Sequence, residues 1–413
     1  MTKPLAIVGG GPCGLVLARL LDTAGINYLV FERDTSPEIT RRNQGGTLDL
    51  HGPTGQEALR RAGLIDKFDK LARRDATTMI IQDSQGNNQL RFGAGRDAPE
   101  IDRSQLRQML LDSIPGDRIR WGKALRSVGR DENKKSTGTA ADWNLRFEDG
   151  SLESGFRMIV GADGAWSKVR SLITPAKPQY SGIAFIEGRI SHNNPQYQAA
   201  HEMVGAGNSA AMSANATLTV QQMSDQSYRV YMGVRAPEAF ARPGGDADGI
   251  NMEKARAAML GPGGFFSHWA PGLRAFVEAA EGPWRPWPLY RLDPDLFLPQ
   301  AETEMDQTVE NRWTRAPGVT LLGDAAHVTT PNGEGVNEAM YNALRLFDCI
   351  VHETKAAGDG GEDDHERLEQ AIGAYEEEMR ARAHGFVQRG INMEEVMYAD
   401  DGVQRMVNAF AEK

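Results

Sequence analysis

Pro4-Leu-Ala-Ile-Val-Gly-Gly-Gly-Pro-Cys-Gly14 runs from an apolar stretch into a glycine turn, and an amphipathic segment to Ala24-Gly25 leads to a second apolar run, Tyr28-Leu-Val-Phe-Glu32. Short continuous apolar runs read as strands buried on both faces, so strand, glycine turn, helix and strand in this order are half of a doubly wound nucleotide fold. Gly9, Gly11 and Gly14 match G-x-G-x-x-G. The first glycine permits the tight turn, the second lets a pyrophosphate approach the backbone, and the third allows close packing of helix on strand. Phosphate would sit on the unpaired N–H groups of the helix start. Glu32, ending the second strand with Arg33 beside it, is placed to accept hydrogen bonds from an adenosine ribose. The pattern predicts dinucleotide binding without separating FAD from NAD.

The rest of the composition narrows the class. At 413 residues the chain is too long for one ordinary domain, so two packed domains with a large shared core are expected. It carries 46 basic and 56 acidic residues, a formal net charge of -10, which offers no footprint for a nucleic-acid backbone. Two cysteines, Cys13 and Cys349, build neither a disulfide framework nor a thiolate metal site, and a reducing, cytoplasmic setting fits them. No run has the length of a membrane span or of a signal-peptide core, and no metal site is expected.

Further strands are expected at Thr77–Gln82, in a hairpin from Trp143 to Leu152 turning at Asp149-Gly150, and at Phe156–Val160 and Gly318–Leu322. Helices are expected from Pro53 to Ala62 and from Arg103 to Ser113, the second capped by Asp102. Between Pro175 and Pro288 helix signals thin out and alternating runs, Leu218–Met223 and Tyr228–Val234, predict antiparallel strands. The fold class is therefore α/β: a doubly wound Rossmann-like domain from residues 1–174 and 291–360, an inserted antiparallel-sheet domain at 175–290, and a helical tail at 361–413. Gly358–Asp364 marks the border of that tail. Within it Leu368, Ile372, Tyr375 and Met379 recur as a stripe, predicting a helix from Leu368 to His384 that bridges both domains.

Downstream, Gly323-Asp324-Ala-Ala-His327 follows a strand and leads through Pro331, Gly333, Gly335, Val336 and Asn337 into a helical segment; Gly161-Ala-Asp-Gly164 with Ser167 and Arg170 lies between. Together with the first glycines, these residues resemble the three ordered signatures of the group A flavoprotein monooxygenases, the para-hydroxybenzoate hydroxylase superfamily. The resemblance implies FAD as cofactor, with Asp324 on its ribityl chain, Asp163 near the pyrophosphate and the nicotinamide path, and Arg103 also contacting it. A helix starting near Gly335 would point its positive end at the flavin pyrimidine, where negative charge accumulates on reduction. Pro331-Asn-Gly-Glu-Gly335 is one residue shorter than the usual P-x-x-G-x-G and has Glu334 where Gln is frequent. The block Arg42-Asn-Gln-Gly-Gly-Thr-Leu-Asp-Leu-His51 resembles the tetracycline-inactivating monooxygenases, which implies an approach of Arg42 to the flavin. Their substrate-reading residues fall at Glu187, Ser209 and Tyr231 or its neighbour Val230, different residue types, so tetracycline is not the expected substrate.

The implied activity is hydroxylation or epoxidation of a small aromatic, indolic or polyketide-like molecule with NADPH or NADH and O2 through a flavin C4a-hydroperoxide. No catalytic side chain is needed beyond the cofactor's chemistry. The pocket is expected between the flavin and the sheet within Ile183–Val234. A halogenase or dehydrogenase on the same scaffold is the enzymatic alternative, although W-x-W-x-I-P is absent, and a non-catalytic FAD-binding module is the other. The expected partners are the substrate and the nicotinamide co-substrate, with no nucleic acid or membrane, in a monomer or weak homodimer. Gly205-Ala-Gly-Asn-Ser-Ala210 repeats the glycine spacing without a preceding apolar strand and reads as a hairpin or loop. His51 and His327 read as orienting groups rather than proton carriers, Cys13 as a small packed residue, and the tryptophans of Gly282–Pro288 as cavity wall or domain junction.

Overall fold

Leu5-Ala-Ile-Val8 is buried on both sides, as a central parallel strand must be, and it organises the first half of the computed structural model. Residues 3–38, 45–130, 139–299, 312–355 and 364–411 are described. In chain order the strands are β1 (Leu5–Val8), β2 (Tyr28–Phe31), β3 (Thr47–Asp49), β4 (Met79–Asp83), β5 (Asn88–Phe92), β6 (Glu100–Asp102), β7 (Ile119–Arg120), β8 (Leu125–Arg130), β9 (Trp143–Phe147), β10 (Leu152–Ser154), β11 (Met158–Gly161), β12 (Gln179–Ile190), β13 (Asn208–Ser213), β14 (Ala216–Gln222), β15 (Tyr228–Arg235), β16 (Glu281–Arg291) and β17 (Val319–Leu321). The helices are α1 (Pro12–Thr23), α2 (Glu57–Arg61), α3 (Ile65–Leu71), α4 (Arg103–Leu111), α5 (Tyr197–Val204), α6 (Met252–Leu260), α7 (Pro271–Ala279), α8 (Asp324–His327), α9 (Gly335–Lys355), α10 (Asp364–Met397) and α11 (Gly402–Ala411).

A parallel sheet of order β17-β11-β1-β2-β7 forms the nucleotide half, and β8, β9 and β10 make a separate antiparallel arm. The second sheet has seven strands, β16-β12-β15-β14-β13-β4-β5, antiparallel except where β13 runs parallel to β4. Two of its strands, β4 and β5, come from the segment 1–174 that the sequence reading gave wholly to the nucleotide domain. Strand pairing across such a separation leaves no local signature. The expected strand at Thr77 begins at Met79, because Arg74–Thr77 forms a 3-10 turn.

Period-two alternation sorts the side chains of the large sheet onto two faces. One face, with Ile186, Leu218, Val220, Val230 and Met232, is buried against α5, α6 and α7. Those three helices, 8–9 residues each, lie where helix signals looked thin; their apolar faces are completed only by the sheet. The opposite face turns towards the nucleotide half.

The stripe Leu368, Ile372, Tyr375 and Met379 is fully buried, but in the core of the nucleotide half. The bridge to the second sheet is made farther along. Arg235 of β15 donates to the Glu394 carbonyl at 3.2 Å, the Tyr398 hydroxyl meets Thr217 of β14 at 3.3 Å, and Met397, Val403 and Met406 pack on Ile81, Ala210 and Met212. The predicted bridging helix is thus one long helix, α10, whose C-terminal end and successor α11 do the bridging. The border loop Gly358–Asp364 lies outside the described residues except for Asp364.

Candidate cofactor and substrate site

The three glycines divide the work of the first turn. A Cβ on Gly9, whose φ is +114°, would stand 2.1 Å from the Ala162 carbonyl oxygen, and one on Gly14 would stand 2.1 Å from that of Gly9. Both positions need the close approach that only glycine allows. Over Gly11 there is nothing within 4 Å. That open shelf lies at the N-cap of α1, where Pro12 at the first turn carries no N–H and the remaining amide donors face out. Glu32 is buried, with its carboxylate accepting from the Gly10 N–H at 2.6 Å and the Asp34 N–H at 2.9 Å. Arg33 is exposed beside it, and Arg42 lies outside the described residues.

Asp163 caps its own turn: its carboxylate accepts from the Ser167 hydroxyl at 2.5 Å and the Lys168 N–H at 2.7 Å. Burial outweighs these bonds and raises its carboxyl above the usual range. The buried Arg170 donates to the carbonyls of Ala165 and Ala325 at 2.5 and 3.0 Å, joining this turn to the one that carries Asp324; desolvation lowers its guanidinium to about 10. Asp324 begins α8 and stays open to solvent although protein surrounds it, which places it on the floor of a cleft. Desolvation there raises its carboxyl against the attraction of His327, Arg103 and Arg170. A Cβ on Gly164, Gly333 or Gly335 would meet nothing within 4 Å. Asp324 and Asp163 both act on Cys13, so the acidic floor lies beside the Gly11 shelf, an arrangement that fits an extended dinucleotide with a polyol chain.

Several expected contacts are placed differently. Asn337 is fully buried and its amide is spent on the backbone of the preceding block: it accepts from the His51 N–H at 2.8 Å and donates to the Asp49 carbonyl at 2.9 Å. It anchors the start of α9 rather than facing the cleft. Val336 packs on the core, while Pro331 and Gly335 are exposed at the rim. Asp102 occupies the N-cap of α4 without capping it; its carboxylate accepts from the Ser224 N–H and hydroxyl instead, at 3.1 and 2.6 Å, binding α4 to the second sheet. Gly45 and Gly46 explain the double glycine. A Cβ on the first would lie 2.7 Å from Arg103 Cδ, and one on the second 2.3 Å from the Tyr231 hydroxyl.

His51 sits between two carboxylates, Nε2 to Asp49 at 2.9 Å and Nδ1 to Glu334 at 3.1 Å. These bonds, Asp49's first, raise its pKa to about 9. His327 is buried, with Nε2 on the Asn342 amide oxygen at 2.7 Å and its ring edge on Phe386. It orients the Asp324 turn from below. Burial pushes the Cys13 thiol up to about 12, which leaves it a packed, unreactive residue.

The substrate-side residues separate. Tyr231 and Glu187 share the sheet face that looks at Arg103 and the cleft. Ser209 does not: it points to the opposite, helix-covered face, where its hydroxyl accepts from Gln82 at 2.8 Å. A one-residue step along a strand reverses the side chain's direction, so a loose alignment puts it on the wrong side. Glu187 is also sealed, with burial raising its carboxyl and Arg229 Nε 3.4 Å from Oε1. Arg229, passed over in the sequence, is one of two arginines in β15, with Arg235.

Residues 2–234 match the family described as an FAD binding domain. The chain is 27% identical to "Monooxygenase penA" of Penicillium thymicola over 98% of this chain and 97% of that one. It is 26% identical to the "FAD-dependent urate hydroxylase" of Mycolicibacterium vanbaalenii, over 96% and 89%. Among solved structures, the fold superposes on HpxO of Klebsiella pneumoniae complexed with FAD and uric acid, at TM-score 0.73 and 21% identity, covering 99% and 93% of the two chains. It also superposes on tetracycline destructase Tet(51), at TM-score 0.66 and 16% identity, covering 99% and 95%.

Proposed function

Because the chain belongs to the FAD-binding-domain family, we propose that its cleft hydroxylates or epoxidises a small aromatic, indolic or polyketide-like substrate, with NADPH or NADH as reductant. It is an FAD-dependent monooxygenase. The observation that carries this reading is Asp324, open to solvent at the start of α8 yet close enough to act on Cys13, beside the Gly11 shelf, and on Arg103. When bound, FAD supplies the redox chemistry: it takes a hydride from the nicotinamide and activates O2 for transfer of one oxygen atom.

The protein's share is holding and shielding. The Gly11 shelf and the α1 amides hold the pyrophosphate, Glu32 a ribose, and Asp324 and Arg103 the middle of the cofactor. The start of α9, fixed by Asn337 and by the Glu334–His51 contact, presents its positive end where reduced flavin gathers charge. The seven-stranded sheet, with residues 79–92 added to the 175–290 segment, is the substrate-covering unit. Its polar face lines the substrate side, and the double glycine at Gly45–Gly46 lets Arg103 and Tyr231 pack closely there. Among the described residues no helix is long and apolar enough to cross a membrane. We read the working unit as a cytoplasmic monomer or weak homodimer.

The test is rapid mixing of purified FAD-loaded protein with NADPH under air. Bleaching of the flavin absorbance, recovery of the oxidised spectrum and matching oxygen consumption are expected. Tight FAD binding with no NADPH- or NADH-driven oxygen uptake would leave only a binding module.

A further inference from the structure

Glu334 is a carboxylate in an awkward place. It stands immediately before Gly335, the first residue of α9, so its charge lies on the positive end that this helix offers to the cofactor. Two-electron reduction gathers negative charge at a flavin's pyrimidine end, and a fixed negative charge beside it works against that reduction. A neutral Gln, frequent at this place in the resembling signature, would add no such charge.

The fold supplies a counter-charge. Among the described residues the Glu334 carboxylate bonds to His51 and to no other group, Oε2 to Nδ1 at 3.1 Å, while the other ring nitrogen, Nε2, meets Asp49 Oδ2 at 2.9 Å. An acceptor on each nitrogen requires a hydrogen on each, and a ring with both is the imidazolium. Arg96 stands 3.2 Å from the same Asp49 oxygen, so two carboxylates face one imidazolium and one guanidinium. The neighbouring charges have partners of their own. Asp97 accepts from Gln56 and lies 3.5 Å from Arg74, which also pairs with Asp69; Glu338, one turn into α9, is held by Arg382 at 3.0 Å; and Asp324 is attracted by His327, Arg103 and Arg170. Nor is the ring needed as a strap, since Asn337 already ties the two segments through the His51 N–H and the Asp49 carbonyl. What the ring adds is charge.

We propose that His51 and Glu334 are positioning residues that act as a compensated pair: the His51 imidazolium holds the Glu334 carboxylate and offsets its charge, so that the start of α9 keeps its positive field for reduced flavin. This rests on the reading that the start of α9 faces the flavin. The two carboxylates keep the ring charged at neutral pH, with its pKa raised to about 9. Above that value the cluster gains a net negative charge, and reduction becomes harder.

The test measures the reduction potential of the bound flavin by anaerobic equilibration of the FAD-loaded protein with a reference dye, without NADPH, O2 or substrate. At neutral pH, His51→Gln should lower the reduction equilibrium about tenfold, a shift of about 30 mV for a two-electron couple. Glu334→Gln should raise it by a similar factor, and the double variant should return to within about threefold of the wild type, because its charges are removed as a pair. A merely structural strap would instead move both single variants the same way and the double variant farther still. The gap between wild type and His51→Gln should close as pH rises through about 9. FAD content shows that each variant holds the cofactor; if His51→Gln sheds it, the rise in Glu334→Gln decides alone. Unchanged potentials, single variants shifting the same way, a double variant no nearer the wild type than the singles, or a gap that persists once the ring is neutral would overturn the assignment. Each of these readings needs only bound FAD, so none of them bears on the oxygen-uptake test of the proposed function.

Discussion

The Thr330 hydroxyl donates to the buried carboxylate of Glu394 at 2.5 Å, while Arg291 of the large sheet stands 3.7 Å from the other carboxylate oxygen. One side chain thus touches the loop before α9, the end of α10 and the second sheet. Replacing Glu394 with Ala strands the Thr330 hydroxyl and removes the counter-charge of Arg291, a combination expected to cost about 1.5–3 kcal/mol. Chemical denaturation of the variant should show a lower midpoint. An unchanged midpoint would mean that this junction carries no stability.

Gly11→Val and Gly14→Ala should fail in different ways. The space over Gly11 is open, so valine there should leave the fold intact and abolish FAD retention by filling the phosphate shelf. At Gly14 an added methyl group meets the Gly9 carbonyl oxygen at 2.1 Å, and the strain should lower stability by about 1–3 kcal/mol. Flavin content and thermal midpoint, measured on both proteins, distinguish the outcomes; a fully flavinated Gly11→Val protein would remove the shelf from the cofactor site.

Asp324→Ala should give largely flavin-free protein, since a charge-assisted bond in a partly dry cleft contributes about 1.5–3 kcal/mol to holding a hydroxyl group. Because the cleft already pushes the Asp324 carboxyl upward, the variant should lose none of its folding stability. Equilibrium dialysis against FAD, with circular dichroism as the fold control, is the measurement; full flavin occupancy would refute the role.

His51 gives a pH dependence whose sign follows from its raised pKa. The folded protein binds the imidazolium more tightly than the unfolded chain, so the stabilisation is complete below about 6.5 and disappears as pH rises through about 9. With part of the site open to water it is worth about 1–2 kcal/mol. His51→Gln should flatten the melting-temperature profile between those values and match the wild type above them. A wild-type profile already flat across that window would count against the Asp49–His51–Glu334 clamp.

How legible this was depended on sequence distance. Gly9, Gly11, Gly14 and Glu32 lie within one strand–turn–helix unit, so the turn they build could be read from spacing alone. The buried stripe from Leu368 to Met379 was equally plain, because helical period reports burial whatever the partner is. The partner itself was not legible, and the bridge formed one stretch later, at Glu394 and Tyr398. Asp102 and Asn337 have the residue types of a cap and a ligand contact, yet both are used to join distant backbone segments.

The parallel pairing of β4 with β13 sets an order of events for the growing chain. Met79–Asp83 emerges early but its sheet partner, Asn208–Ser213, is made only after the whole of the arm, β11 and β12. Until then β4 has only β5 to pair with, and a lone two-stranded hairpin is marginal in water. Nor can the 175–290 segment be lifted out as a self-sufficient module, since cutting it free would bare the backbone edge of β13. The closing of that sheet is therefore a late, long-range step, of the kind that makes folding slow and leaves a nascent chain in need of protection.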